Sequence, residues 1–124
     1  MDIAKKNVAM LGLENVEIRN ADVKKGIRER DVDLVVLDMP ESDKVVRHAA
    51  KALREDGILV GYLPHTEQVR KFVSKMEKYH FVEICTLEVI VRDMLVRDAG
   101  IRPSTKGIWH TAYLVFGKLS KEKI

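Results

Sequence analysis

The segment Asp33-Leu-Val-Val-Leu-Asp38 limits the fold more than any other stretch of the chain. It is a compact apolar run bracketed by acids. Such a run predicts a strand covered on both faces, the usual environment of a parallel sheet. Met39-Pro40 ends it. A second run, Ile58 to Leu63, has the same character and is broken by Pro64-His65.

Helical spacing separates these runs. Val45, Val46, Ala49, Ala50 and Leu53 share one side of a helix predicted over 43–55, which Asp56-Gly57 stops. Val69, Phe72, Val73 and Met76 recur at helical intervals in a helix running to about Tyr79, with Thr66 as its candidate N-cap. Upstream, Ala4, Val8 and Leu11 predict an opening helix closed by Gly12. Val16 to Arg19 alternates as a short strand, Asn20-Ala21-Asp22 follows as a turn, and Lys24 to Glu29 holds one helical turn.

Past Tyr79 the pattern changes. Phe81 to Val91 or beyond is rich in β-formers with no helix after it. A loop carries Arg102, Pro103, Ser104, Thr105 and Gly107, and Ile108 to Phe116 is a second long strand. Two strands joined without a crossover helix pair antiparallel. The order is therefore an α/β alternation, with helices on both faces of a mostly parallel sheet, ending in an antiparallel strand pair.

At 124 residues, with 46% hydrophobic side chains, the chain amounts to one domain with a core. The charged fraction of 33%, with a single glutamine and a single cysteine, is a composition found in heat-adapted proteins. Cys85 has no partner for an internal disulfide, and no zinc-ligand spacing occurs. No signal peptide opens the sequence and no apolar run is long enough to span a bilayer, so a cytoplasmic location and no membrane partner are expected. The net charge of +3 is concentrated at one end: residues 101–124 hold five basic side chains and one acid, Glu122. A basic end either meets phosphates or solubilises a tail.

The wording of the motifs narrows the fold. Leu37-Asp38-Met39-Pro40-Glu41, Val45-Val46 and His48-Ala49-Ala50-Lys51-Ala52-Leu53 resemble the archaeal-type tRNA (adenine-N1)-methyltransferases. Val60-Gly61-Tyr62-Leu63-Pro64 with Gln68-Val69 is similar to the next strand and turn of that family. Arg102-Pro103 with His110-Thr111-Ala112-Tyr113-Leu114 is similar to its closing motif. The resemblance covers roughly residues 4 to 118. It implies a class I, Rossmann-like methyltransferase three-layer sandwich that is incomplete. The family's first two strands, with the glycine-rich donor loop and the acid that holds the donor's ribose, have no counterpart. Residues 1–119 would be the C-terminal part of a methyltransferase catalytic domain, and residues 120–124 a basic tail.

The resemblance also assigns roles. Asp38, at the end of a central strand, faces the target adenine in the family, and an acid there can accept a proton from N6 as N1 attacks the methyl group. The alternative is that Asp38 caps the helix beginning near Asp43. Asp22 matches an aspartate that contacts the donor's adenine, or else it forms an Asx turn. Pro64 and Gln68 match positions beside the target base, and His65 reads as a loop residue. Arg102, Thr105 and His110 fall near substrate RNA and subunit contacts. Arg102 suits a phosphate, and His110 suits structural packing equally well. Lys24, Lys25, Arg28 and Arg30 read as a solvated face.

The implied cofactor is S-adenosylmethionine, with no metal. The implied partners are tRNA and either further copies of the chain in a homo-oligomer or a complementing N-terminal chain. Methyl transfer to a T-loop adenine is the first functional expectation, in a form that is inactive without the donor loop. A non-catalytic structural or tRNA-binding homologue, or a truncated remnant, is the second. The gap beside Asp33–Asp38 leaves a strand edge to be closed. Either Val16–Arg19 pairs there, or another chain covers it.

Overall fold

The computed structural model describes residues 2–107 and 110–122. Its centre is a four-stranded sheet of order β1-β2-β6-β3, made of β1 (Val32–Leu37), β2 (Leu53–Leu63), β3 (Phe81–Leu87) and β6 (Tyr113–Leu119). β1 pairs parallel with β2. β6 lies between β2 and β3 and runs antiparallel to both. Three strands therefore point one way and only β6 opposes them, as expected for the closing antiparallel pair.

Helices α2 (Val46–Ala52) and α3 (Thr66–Lys78) connect these strands and pack on the same face. Leu37, Leu59, Leu63 and Val115 from the sheet meet Val45, Val46, Ala49, Phe72 and Met76 in one buried cluster. The Phe72 ring presses against β2, and this is why residue 61 is glycine: a Cβ there would come within 2.8 Å of the ring.

The opposite face is open. β1 was expected to be covered on both sides, yet Leu34 and Val36 are 54% and 58% exposed. Across the strand register they adjoin Ile58 and Val60, then Lys118 and Phe116, of which Val60 is buried and the others half-buried. The opening helix α1 (Asp2–Met10) forms as expected but buries no residue and does not cover this face. Helices therefore occupy one side of the sheet, not both, and the third layer is missing among the described residues.

Val16–Arg19 does not form a strand. Its backbone pairs with no described strand, so its alternating pattern finds no ladder. Arg19 instead forms an ion pair with Glu29. β1 remains an edge strand, and closure by Val16–Arg19 does not occur.

Other boundaries shift for local reasons. The helix expected over 43–55 is a 3-10 turn, Ser42–Val45, followed by the shorter α2. β2 begins at Leu53 because Leu53 already pairs with Val32; the ladder then skips to Leu34 and Ile58. Asp56-Gly57 forms that irregularity rather than a helix stop, with Asp56 at φ 62° and Gly57 within 2.9 Å of the Arg54 carbonyl if it carried a Cβ. The helical turn expected over 24–29 is a 3-10 turn at Val23–Lys25.

The region read as a loop around Arg102 contains a separate hairpin, β4 (Met94–Arg97) with β5 (Gly100–Pro103). Asp98-Ala99 forms its two-residue turn, with Gly100 at φ 145°. The final strand was expected from Ile108, which lies outside the described residues together with Trp109; the observed strand starts at Tyr113. Beyond it the chain stays attached for two residues. Ser120 N–H donates to the His80 carbonyl at 3.0 Å, and Lys121 N–H to Glu55 Oε2 at 2.7 Å.

Candidate active-site cleft

Asp38 follows the last residue of β1, and Pro64 follows the last residue of β2. The carboxyl ends of two parallel strands thus meet, and this is the edge where open α/β sheets bind ligands. A cleft of about 240 Å³ opens there, lined by Asp38, Met39, Pro40, Tyr62, Pro64 and Gln68. Three residues singled out from the sequence are therefore brought together: Asp38, Pro64 and Gln68.

Asp38 is exposed and makes no hydrogen bond or ion pair with any described residue. It does not cap the following helical segment, whose N-cap is Glu41. Its carboxyl group is left available to whatever enters the cleft. Tyr62 is 39% exposed on the cleft wall. It went unassigned as a site residue, although a phenol in the otherwise apolar strand run Ile58–Leu63 was the available signal. Met39 and Pro40, which end β1 and belong to the Leu37–Glu41 motif, complete the lining.

Gln68 is fixed by its own helix. The N-cap of α3 is His65, not Thr66, and the His65 N–H donates to Gln68 Oε1 at 3.1 Å. This contact satisfies one of the donors left free at a helix start. It also leaves the Gln68 amide nitrogen as the group that can address a ligand.

His110 joins the rim of the cleft from outside. Its Nε2 lies 2.6 Å from the Pro64 carbonyl oxygen, and its Nδ1 lies 3.5 Å from Glu88 Oε1. Its ring sits 5.0 Å from that of Tyr113. The Pro64 carbonyl, and after it Glu88, hold the imidazole above its ordinary pKa, against partial desolvation. His110 thus has structural partners, and Glu88 had not been singled out.

The other candidates lie elsewhere. Asp22 caps the first 3-10 turn, with Oδ1 accepting from the Lys24 N–H at 3.0 Å. It lines no surface shared with the cleft. Arg102 sits on β5 opposite Leu95, its guanidinium 3.4 Å from the Pro103 carbonyl. Thr105 is exposed just past that hairpin.

S-adenosylmethionine would need a close backbone approach and groups for its ribose and adenine. The described cleft contains no glycine, and Asp22 is committed to its turn. These residues do not by themselves form a donor cradle. Among the described residues there is no cluster of metal-ligating side chains, and no helix is long and apolar enough to cross a membrane.

A sheet in which three strands run one way and the last runs against them, with a cleft at the carboxyl edge, defines a Rossmann-like methyltransferase fold. Two solved structures share it closely. An S-adenosylmethionine-dependent O-methyltransferase from Thermotoga maritima superposes with a TM-score of 0.89 at 28% identity, over 99% of this chain and 47% of that one. The tRNA (m1A58) methyltransferase TrmI of Aquifex aeolicus gives 0.82 at 27% identity, over 98% and 49%. Residues 2–110 match the family described as the tRNA methyltransferase complex GCD14 subunit, and the chain belongs to that family.

Sequence relatives agree. The tRNA (adenine(57)-N(1)/adenine(58)-N(1))-methyltransferase TrmI of Methanocaldococcus jannaschii is 42% identical over 114 residues, spanning 91% of this chain and 40% of the relative. The tRNA (adenine(58)-N(1))-methyltransferase TrmI of Thermus thermophilus is 37% identical, spanning 90% and 45%. The chain thus spans less than half the length of these relatives.

Proposed function

We propose that this chain forms the base-binding side of a tRNA (adenine-N1)-methyltransferase site and acts in methyl transfer only when another segment or chain completes the donor side. The observation that carries this reading is the convergence of Asp38, Tyr62, Pro64 and Gln68 on one cleft at the carboxyl ends of β1 and β2.

The chemistry follows from those groups. An adenine edge-on to Asp38 offers its exocyclic N6–H to a carboxyl group that has no other partner. As N1 gains a methyl group the ring becomes cationic, and an acid close to N6 stabilises that charge and can accept a proton. The Tyr62 ring gives the base an apolar wall, and the Gln68 amide nitrogen supplies a donor of fixed position. When bound, S-adenosylmethionine supplies the electrophilic methyl group. No described residue of this chain is assigned to hold it.

The open sheet face is the counterpart of the missing donor side. Leu34 and Val36 on the edge strand β1 offer an apolar surface and an unpaired ladder. A complementing polypeptide would add a strand and cover that face. A second copy of this chain would bring a further copy of the same edge but no donor cradle.

A second reading is a non-catalytic tRNA-binding homologue, favoured by the same lack of a donor cradle. Calorimetric titration of the chain with S-adenosylmethionine, followed by titration with tRNA, separates the two readings from a self-sufficient enzyme. The expected result is tRNA binding without donor affinity. Micromolar donor binding and turnover by the chain alone would contradict the proposal. Rescue of turnover by a complementing chain favours the enzymatic reading over the non-catalytic one.

A further inference from the structure

At the opposite end of α3 from the cleft, two adjoining depressions of about 330 and 410 Å³ share Arg47 and Tyr79. Lys24, Lys44 and Lys75 line the first, and Lys51 and Lys121 the second. These cations come from five separate parts of the chain: the first 3-10 turn, the second, α2, α3 and the segment after β6. Only the fold brings them together.

Their pairing is uneven. Glu41 accepts from Lys24 Nζ at 3.2 Å and from Lys44 Nζ at 2.6 Å, which fixes two lysines at one rim and holds the Glu41 carboxyl below its ordinary pKa. Arg47, Lys51, Lys75 and Lys121 form no ion pair with any described residue. Among the described residues, Asp43 is the one acid lining either depression. Lys121 is held at its place by its own N–H on Glu55, which brings one cation of the basic C-terminal end to the groove. Exposed cations that converge without acidic partners of their own make a positive surface that attracts a polyanion. Nucleic-acid backbones satisfy such arrangements by releasing counterions.

We propose that this groove is a second RNA contact, taking the phosphodiester backbone of the same structured RNA whose base enters the Asp38 cleft. The proposal rests on the RNA-substrate reading above. Gln68 and Tyr79 are eleven residues apart on and just past α3, which places the groove roughly 16 Å from the cleft along the helix. A folded RNA easily spans that distance. The groove reads no sequence; it fixes the orientation of the RNA.

The test is binding of fluorescein-labelled tRNA transcript to the full chain, followed by anisotropy over a range of salt concentrations. The double variant Arg47→Ala/Lys51→Ala is compared with Lys5→Ala/Lys6→Ala, which removes equal charge from α1. Both variants place a strong helix former at exposed helix positions, and circular dichroism confirms their fold. The expected result is about tenfold weaker binding for the groove variant, with the slope of log affinity against log salt reduced by about 2. The α1 variant retains wild-type affinity. Equal affinities and slopes for the two variants would overturn the groove proposal while leaving the RNA reading intact. Failure of the wild-type chain to bind tRNA would overturn both. Polyglutamate binding as tightly as tRNA would assign the groove to an acidic protein and overturn it as an RNA contact.

Discussion

His110 Nε2 approaches the carbonyl oxygen of Pro64 to 2.6 Å, which ties the start of β6 to the turn that forms the cleft wall. The second ring nitrogen faces Glu88 near the end of β3. Two acceptors around one ring are both satisfied only by the charged imidazolium. The folded-state pKa is raised, first by the Pro64 carbonyl and then by Glu88. The contribution of this contact is therefore fully present below the unfolded value of about 6.5. It is lost as pH rises through the raised folded value. A His110 proton titration followed by NMR should have its midpoint above that of a free histidine. Glu88→Gln should lower the midpoint. A wild-type midpoint at or below 6.5 would remove the contact as a pH-sensitive tie.

Phe72 sets a steric limit on β2. Gly61→Ala would place a methyl group against the ring in a fully buried part of the core. Overpacking of this kind costs about 1–3 kcal/mol. Urea denaturation should show that loss, and a truncation of the ring in the double variant Gly61→Ala/Phe72→Leu should restore part of it. Unchanged stability of Gly61→Ala would show that α3 moves freely.

Gln68 has a structural role that can be separated from any ligand contact. Gln68→Ala removes the acceptor for the His65 N–H and should cost about 1 kcal/mol, as helix-cap losses do. Gln68→Glu keeps the acceptor and should retain most of the stability. Thermal melts of the two variants, compared with wild type, check this directly. Equal destabilisation by both would point to a role other than capping.

The exposed β1 residues should tolerate charge. Val36→Lys leaves the buried cluster untouched, so the isolated chain should melt within about 0.5 kcal/mol of wild type, as surface changes do. The same lysine would be buried by any polypeptide completing the sheet and should prevent that association. Size-exclusion chromatography of the variant mixed with a complementing chain reads the outcome. Undiminished association would place the partner elsewhere.

Much of the sheet was legible because Asp33–Asp38, Ile58–Leu63 and the helical stripe from Val69 to Met76 each supply apolar residues to the one cluster between the sheet and its helices. The antiparallel relation of the last strands followed from the absence of a crossover helix between them. Val16–Arg19 shows where the reading ended. Its alternation is a property of the chain, but a strand exists only with a neighbour to pair. The one-sided cover of β1 has the same origin, since an apolar run records two covered faces without supplying the second cover. The hairpin at Met94–Pro103 was missed because its strands have four residues each, although Asp98-Ala99-Gly100 carried a turn signal. At the cleft, the motifs drew attention to Asp38, Pro64 and Gln68, which the fold brings together. The places of Tyr62 on the cleft wall and of Glu88 beside His110 were not legible, because both depend on which distant residues the fold sets against them.

Asp38 carries the central claim, and one reaction tests it. The chain is mixed with the N-terminal part of the Methanocaldococcus jannaschii relative that it does not match, together with radiolabelled S-adenosylmethionine and tRNA. Incorporation of label at adenine is measured for wild type and for Asp38→Asn, which should fold normally because Asp38 bonds to no described residue. The expected result is no incorporation by the chain alone, incorporation by the mixture, and loss of at least a hundredfold with Asp38→Asn, the scale of acid–base contributions. Incorporation by the chain alone, or a mixture whose activity is indifferent to Asp38→Asn, would contradict it.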